Sequence, residues 1–291
     1  MDVLLTFDRA FLIGGAVTVR TLSENAAPDR PLRVHVLHPD LNEAELEKLR
    51  ASLAPRAIAP ELVSHRLDAS LFRGFARSKW VSLTAYGRLL AGQILPRSES
   101  RAVYVDVDVL FQPDVARLFD LDLKGNVIAA VPNGDLADQQ ENSRRLGKSA
   151  DAYFASGLLI YDLDKWRRDH VGEAALEFAG RSPDLKLHDQ DALNWVVDGK
   201  FLHLSDEWCH WASHPPMEGR PLVHYAMSQK PWHPDYASGY REEFFAAVDR
   251  TAFAGWRPSS ALGIAPLFMR LRRRIPYLPT VLRLLRNAFR R

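Results

Sequence analysis

Two aspartates, Asp106 and Asp108, stand at positions i and i+2 of the stretch AVYVDVDVLF, Ala102 to Phe111. Side chains two apart on extended backbone point the same way, so both carboxylates can approach one hard cation such as Mn²⁺ or Mg²⁺. The apolar Val103, Tyr104 and Val105 before them fit a buried strand that runs into a polar end. A pair of turn or capping aspartates is the competing explanation.

Other segments carry groups that could serve the same chemistry. In LVHYAMSQKPW, Leu222 to Trp232, a neutral His224 can complete a metal shell begun by two carboxylates, and Lys230 can balance a diphosphate. In HDQDALNW, His188 to Trp195, acids near a helix start can complement the helix dipole. The dipole does not account for the intervening Gln, so Asp189 and Gln190 are candidate substrate contacts. Arg88 lies in the helical pattern SLTAYGRLLAGQIL, Ser82 to Leu95, as a surface ion-pair partner or a phosphate or sugar ligand. Asp8 follows the first strand, where it can accept from a base or ribose or cap a helix. Around Ala155, Ser156 and Gly157 in YFASGLLIYDL, glycine permits close approach of a ligand or a bend in a strand.

The elements that must position these groups alternate. Val3 to Phe7, Arg33 to Leu37, residues 61–67 and Val127 to Val131 read as strands; Phe11 to Leu22, Glu43 to Ser52 and Pro113 to Phe119 read as helices. This pattern predicts an α/β layer. Gly14 and Gly15 do not form the G-x-G-x-x-G turn of a dinucleotide site, and no Gly-rich phosphate loop supports a nucleotidyltransferase. The polar stretch from Asn133 to Asp151 lacks periodicity and predicts a mobile loop or lid.

At 291 residues, 47% hydrophobic and 25% charged, the chain has the profile of a soluble globular protein, as one large domain or two small ones. Cys209 is the sole cysteine, which excludes an internal disulfide and predicts an inert thiol. The opening residues lack the pattern of a secretory signal, and no apolar run is long enough to span a bilayer. Net charge is +2, yet eight arginines and no acid follow Arg257, so residues 1–257 carry 30 bases against 36 acids, a balance of −6. The arginines of Pro266 to Arg291 are set among Leu267, Phe268, Leu271 and Ile275, with breaks at Pro276 and Pro279. Such short basic amphipathic segments suit an anionic membrane surface better than nucleic acid, with an end-helix docked on the body as the structural alternative.

Taken together, the order of motifs resembles glycosyltransferase family 8, and most closely its bacterial lipooligosaccharide α-galactosyltransferases. The resemblance runs from Asp2 to about Tyr236 and rests on the first strand with Asp8, TAYGRL, YVDVDVL, YFASGLLIYDL followed by KWRR, HDQDALN and HYAMSQKPWH. It implies a single GT-A domain, α/β with a mostly parallel central sheet; the charge asymmetry bounds that domain at 1–257 and sets a basic amphipathic helical tail over 258–291. It further implies a retaining, metal-dependent transfer of a hexose from a nucleotide sugar, UDP-galactose or UDP-glucose, to a cell-surface glycan or glycolipid, and the basic tail adds the expectation that this occurs at the cytoplasmic face of a membrane. Asp106, Asp108 and His224 would hold Mn²⁺ or Mg²⁺, with Thr6, Asp8, Val107 and Lys230 toward the nucleotide. Arg88, Asp189 and Gln190 would hold the donor sugar, with Gln190 beside the anomeric carbon. Two positions depart from the family pattern: Ala155 stands where relatives commonly have Asn, and Met227 where they usually have Gly. A catalytically weak nucleotide-sugar or glycan sensor is the alternative that these departures motivate.

Removing residues 266–291 is expected to lower cosedimentation with anionic vesicles while leaving UDP binding intact. Equal vesicle binding by the truncated chain would refute a membrane role for the tail.

Overall fold

A computed structural model describes residues 1–76, 82–149, 151–226 and 229–258. Met227 and the basic tail from residue 259 onward lie outside the described residues.

In chain order the first half comprises β1 (Asp2–Thr6), α1 (Leu12–Glu24), β2 (Arg33–His38), α2 (Glu43–Ser52), β3 (Glu61–Arg66), α3 (Ala91–Ile94), β4 (Arg101–Val105), β5 (Val109–Leu110) and α4 (Ala116–Phe119). The second half comprises β6 (Ile128–Pro132), α5 (Leu136–Arg145), β7 (Phe154–Asp162), α6 (Leu163–Arg168), α7 (Val171–Arg181), α8 (His188–Val197), β8 (Leu202–His203), β9 (His210–Trp211), β10 (Val223–His224) and α9 (Arg241–Val248). Seven strands form the main sheet in the order β3-β2-β1-β4-β7-β6-β8, and β5-β10-β9 form a small second sheet.

The alternation read from sequence places side chains on both faces of the main sheet. Val3 and Leu5 of β1 join Val34, Val36, Val103 and Val105 on one face, whereas Leu4 joins Tyr104, Leu159 and Trp166 on the other. Each fully buried Val or Leu contributes roughly 1.5–3 kcal/mol. A third apolar cluster, containing Val17, Leu110, Val223, Trp232 and Phe244, ties the small sheet and α9 to α1. At Gly14 of α1 a β-carbon would lie 2.5 Å from the Val107 carbonyl oxygen, so the helix packs onto the aspartate segment only because that position has no side chain.

Strand order sets the place of the site. From β1 the chain proceeds outward through β2 and β3, then returns to lay β4 on the other side of β1. Ligands of open α/β sheets gather beyond the carboxyl ends of strands at such a reversal, and Phe7 and Asp106 are the residues that leave those two ends.

The main sheet is mostly parallel as expected but mixed: β7 alone runs antiparallel, to both β4 and β6, while the other pairings are parallel. β4 stops at Val105, so the buried strand runs into its polar end at Asp106 as the sequence suggested, and Val109–Leu110 enters the second sheet. One expectation, a mobile loop or lid over Asn133 to Asp151, is corrected here: the stretch contains helix α5. Asp135 and Asp138 form a capping box at its start, and its buried residues are Gln139 and Ser143. Gln139 Nε2 donates to the Gly134 carbonyl and Ser143 Oγ to the Ala152 carbonyl, so hydrogen bonds replace the apolar stripe that periodicity detects.

Candidate active site

Asp106 and Asp108 leave the end of β4 in the short link to β5, and β10 pairs antiparallel with β5 so that His224 lies opposite Val109. One ligand atom from each of Asp106, Asp108 and His224 lies within 4.8 Å of the other two. His224 Nε2 is 3.3 Å from Asp108 Oδ1 and 3.7 Å from Asp106 Oδ2. A β-carbon on residue 157 would stand 2.6 Å from His224 Cε1 and 3.0 Å from Asp106 Oδ2, so Gly157 of β7 gives this cluster its room. Two carboxylate oxygens and one imidazole nitrogen suit Mn²⁺ or Mg²⁺.

The electrostatics favour positive charge at this point. Burial alone would raise the Asp108 carboxyl, but Lys230 and His224 hold it well below the usual carboxylate range. Burial would likewise lower His224, and Asp108 outweighs it and raises the imidazole well above its ordinary value. Lys230 Nζ donates to Asp108 Oδ2 at 2.5 Å and to the Tyr225 carbonyl at 2.9 Å. Asp106 presents its other oxygen to the protein: Oδ1 accepts from Tyr104 at 2.7 Å and from Arg88 at 2.9 Å.

Arg88 is not the surface ion-pair residue that its helical pattern allowed. Only 4% exposed, it occupies a 3-10 turn, Leu83–Leu90. Its guanidinium donates to the Ala85 carbonyl, to the Ser156 carbonyl and hydroxyl, and to Asp106, and it pairs with Asp189 at 3.0 Å. The Tyr104 ring stacks 4.4 Å from it. Burial pushes the Asp189 carboxyl up, against the opposing pull of Arg88 and Ser156. Arg88 thus fixes Asp106, Asp189 and β7 as one unit.

Helix α8 delivers Asp189 and Gln190. It begins at His188, whose φ of 52° is left-handed, a conformation held by the surroundings rather than chosen by a buried histidine. Gln190 Oε1 accepts from the Ser156 amide at 3.0 Å. The helix start is locked by Asp191, wholly buried, which accepts from Arg145 at 2.6 and 2.8 Å, Tyr153 at 2.5 Å and the Leu187 amide at 2.9 Å.

These groups face one cavity of about 630 Å³. Thr6, Arg88, Asp106, Val107, Asp108, Asp189, Gln190, His224 and Lys230 all line it. Asp8 does not: its carboxylate accepts from the Ala10 amide at 3.0 Å and from Ser82 at 2.5 Å, capping the turn Arg9–Phe11. Ala155 lines the cavity with a methyl group. Trp211, Phe11 and Lys186 also line it and were not read as site residues; Trp211 lies in a two-residue strand, which leaves no periodic signal. Cys209, read as inert, has its sulfur 3.5 Å from His224 Nδ1.

Comparison with known proteins agrees with this geometry. The profile of glycosyl transferase family 8 matches residues 2–235, and the chain belongs to that family. General stress protein A of Bacillus subtilis is 25% identical over 253 residues, covering 79% of this chain and 87% of that protein. Lipopolysaccharide 1,2-glucosyltransferase of Escherichia coli is 31% identical over 172 residues, covering 52% of this chain and 50% of that protein. In three dimensions the crystal structure of the galactosyltransferase LgtC, in complex with donor and acceptor sugar analogues, aligns with a TM-score of 0.76 at 24% identity, over 86% of this chain and 96% of that one. The GT-A fold expected from the motifs is shared, and the central sheet is mixed through β7 alone.

The lock on α8 is testable through stability. Replacing Arg145 by Met should cost about 2–3 kcal/mol at pH 7, the low side for a broken buried pair because Tyr153 and the Leu187 amide still serve Asp191. Burial would raise Asp191, but Arg145 and Tyr153 hold it below its unfolded value. Its contribution is therefore complete above about pH 4 and lost as pH falls through the folded value. Urea unfolding should show the variant approaching wild type in acid; a pH-independent gap would contradict the assignment.

Proposed function

We propose that this family 8 glycosyltransferase moves a hexose from UDP-galactose or UDP-glucose to a glycan or glycolipid acceptor, with retention of anomeric configuration. The observation that carries the proposal is the convergence of Asp106, Asp108 and His224 in the same cavity as Lys230 and the Arg88–Asp189–Gln190 group. Asp106 Oδ2, Asp108 Oδ1 and His224 Nε2 fit a divalent cation by donor chemistry and by the space left at Gly157. When bound, that cation supplies charge to the diphosphate leaving group.

The chain's own residues do the rest. Lys230, anchored by Asp108 and Tyr225, adds a second positive charge on the phosphate side. Arg88 and Ser156 hold Asp189 at a fixed place on the sugar side. The Gln190 side-chain oxygen already accepts from the Ser156 amide, and a neutral amide is a weak nucleophile. Front-side attack is accordingly favoured over a covalent glycosyl-enzyme. The acceptor oxygen forms its bond to the anomeric carbon as the bond to the phosphate oxygen breaks, and the acceptor proton passes to the departing phosphate.

An alternative role, binding a nucleotide sugar without turnover, is favoured by Ala155, whose methyl group offers the donor no hydrogen bond. A donor panel with product mass spectrometry separates the two roles. The expected result is Mn²⁺-dependent consumption of a UDP-hexose, an α-linked product by NMR, and a loss of at least about a hundredfold in kcat for Lys230→Ala. An inverted product contradicts the retaining mechanism, and tight UDP binding with no donor consumed favours the sensor.

A further inference from the structure

We infer that Cys209 is a positioning residue for His224: its sulfur takes a hydrogen bond from the imidazole Nδ1 and so holds the ring with Nε2 toward Asp106 and Asp108, where a divalent cation would be held. The inference rests on the metal reading of the Asp106–Asp108–His224 cluster. His224 turns Nε2 toward both carboxylates. A histidine that ligates through one nitrogen carries its proton on the other, and the partner of that second nitrogen sets both tautomer and ring orientation. Here the partner is Cys209 Sγ, 3.5 Å from Nδ1, within hydrogen-bond range for sulfur.

Backbone geometry fixes where the sulfur stands. The Cys209 amide donates to the Asp206 carbonyl at 3.0 Å, ending a 3-10 turn, and the next residue, His210, opens β9 by donating to the Leu222 carbonyl at 2.9 Å. Parallel pairing then sets His210 against Val223 and Trp211 against His224. A β-carbon at residue 157 of β7 would come within 3.2 Å of Nδ1, so Gly157 leaves the room that the imidazole occupies beside the Cys209 turn. Metal-bound histidines usually give this proton to a carboxylate, a carbonyl or water. Here a sulfur takes that place.

Cys209 also packs against the apolar core, so the test must separate packing from hydrogen bonding. Mn²⁺ affinity is measured by isothermal titration for wild type, Cys209→Val, which keeps volume and loses the acceptor, and Cys209→Ser, which keeps an acceptor; melting temperatures are measured alongside. The expected result is Mn²⁺ affinity weakened about tenfold or more in Cys209→Val without loss of fold, and within about threefold of wild type in Cys209→Ser. Wild-type affinity in the Val variant overturns the inference, as does equal weakening in Val and Ser, which assigns sulfur a packing role alone. No Mn²⁺ binding by wild type overturns the functional proposal and this inference together, whereas failure confined to the variants leaves the proposal standing.

Discussion

Three carboxylates, Asp106, Asp108 and Asp189, share one cavity wall, and their mutual repulsion is the constraint on which the rest of the site depends. At an effective dielectric of about 20, two like charges 4 Å apart repel by about 4 kcal/mol. The fold answers by giving each carboxylate a cationic neighbour: Arg88 lies between Asp106 and Asp189, while Lys230 and His224 meet Asp108. Arg88 comes from the segment before β4, Lys230 and His224 from the β10 region, and Asp189 from α8. Charge compensation therefore demands that segments far apart in sequence close on the ends of β1 and β4.

Packing makes that closure possible. Gly14 lets α1 rest on the Val107 carbonyl, and Gly157 lets β7 pass beside His224 and Asp106. The buried Asp191, served by Arg145, Tyr153 and the Leu187 amide, anchors α8 so that Asp189 and Gln190 meet Ser156 of β7. The left-handed His188 is part of the same arrangement, since it turns the chain into the helix between the Leu187 amide and Asp189.

How much of this was legible follows from how each feature is stabilised. Asp106 and Asp108 could be read because a run of apolar residues announced the strand end, and Thr6, Arg88, Val107, Lys230 and His224 were placed by the order of motifs. Helix α5 was not legible, because a capping box and the buried amide and hydroxyl of Gln139 and Ser143 support it where an apolar stripe would have signalled it. The direction of β7 was hidden since strand patterns carry no polarity. Asp8, read from its position as a nucleotide contact or a cap and placed toward the nucleotide by the resemblance, accepts from the Ala10 amide as a cap and from the Ser82 hydroxyl. Cys209 carried no signal of its own, since its significance comes from the pairing of two-residue strands that bring it to His224.

Family membership establishes a glycosyltransferase, and the charge arrangement at the switch between β1 and β4 is what the proposed diphosphate leaving group would require. Calorimetric titration of UDP into wild type and Asp108→Ala, each with Mn²⁺ and with a chelator, tests this most directly. The account predicts UDP binding by wild type that weakens at least about tenfold when Mn²⁺ is withdrawn, and no Mn²⁺ effect in Asp108→Ala. UDP affinity that is the same with and without Mn²⁺ in wild type would contradict it.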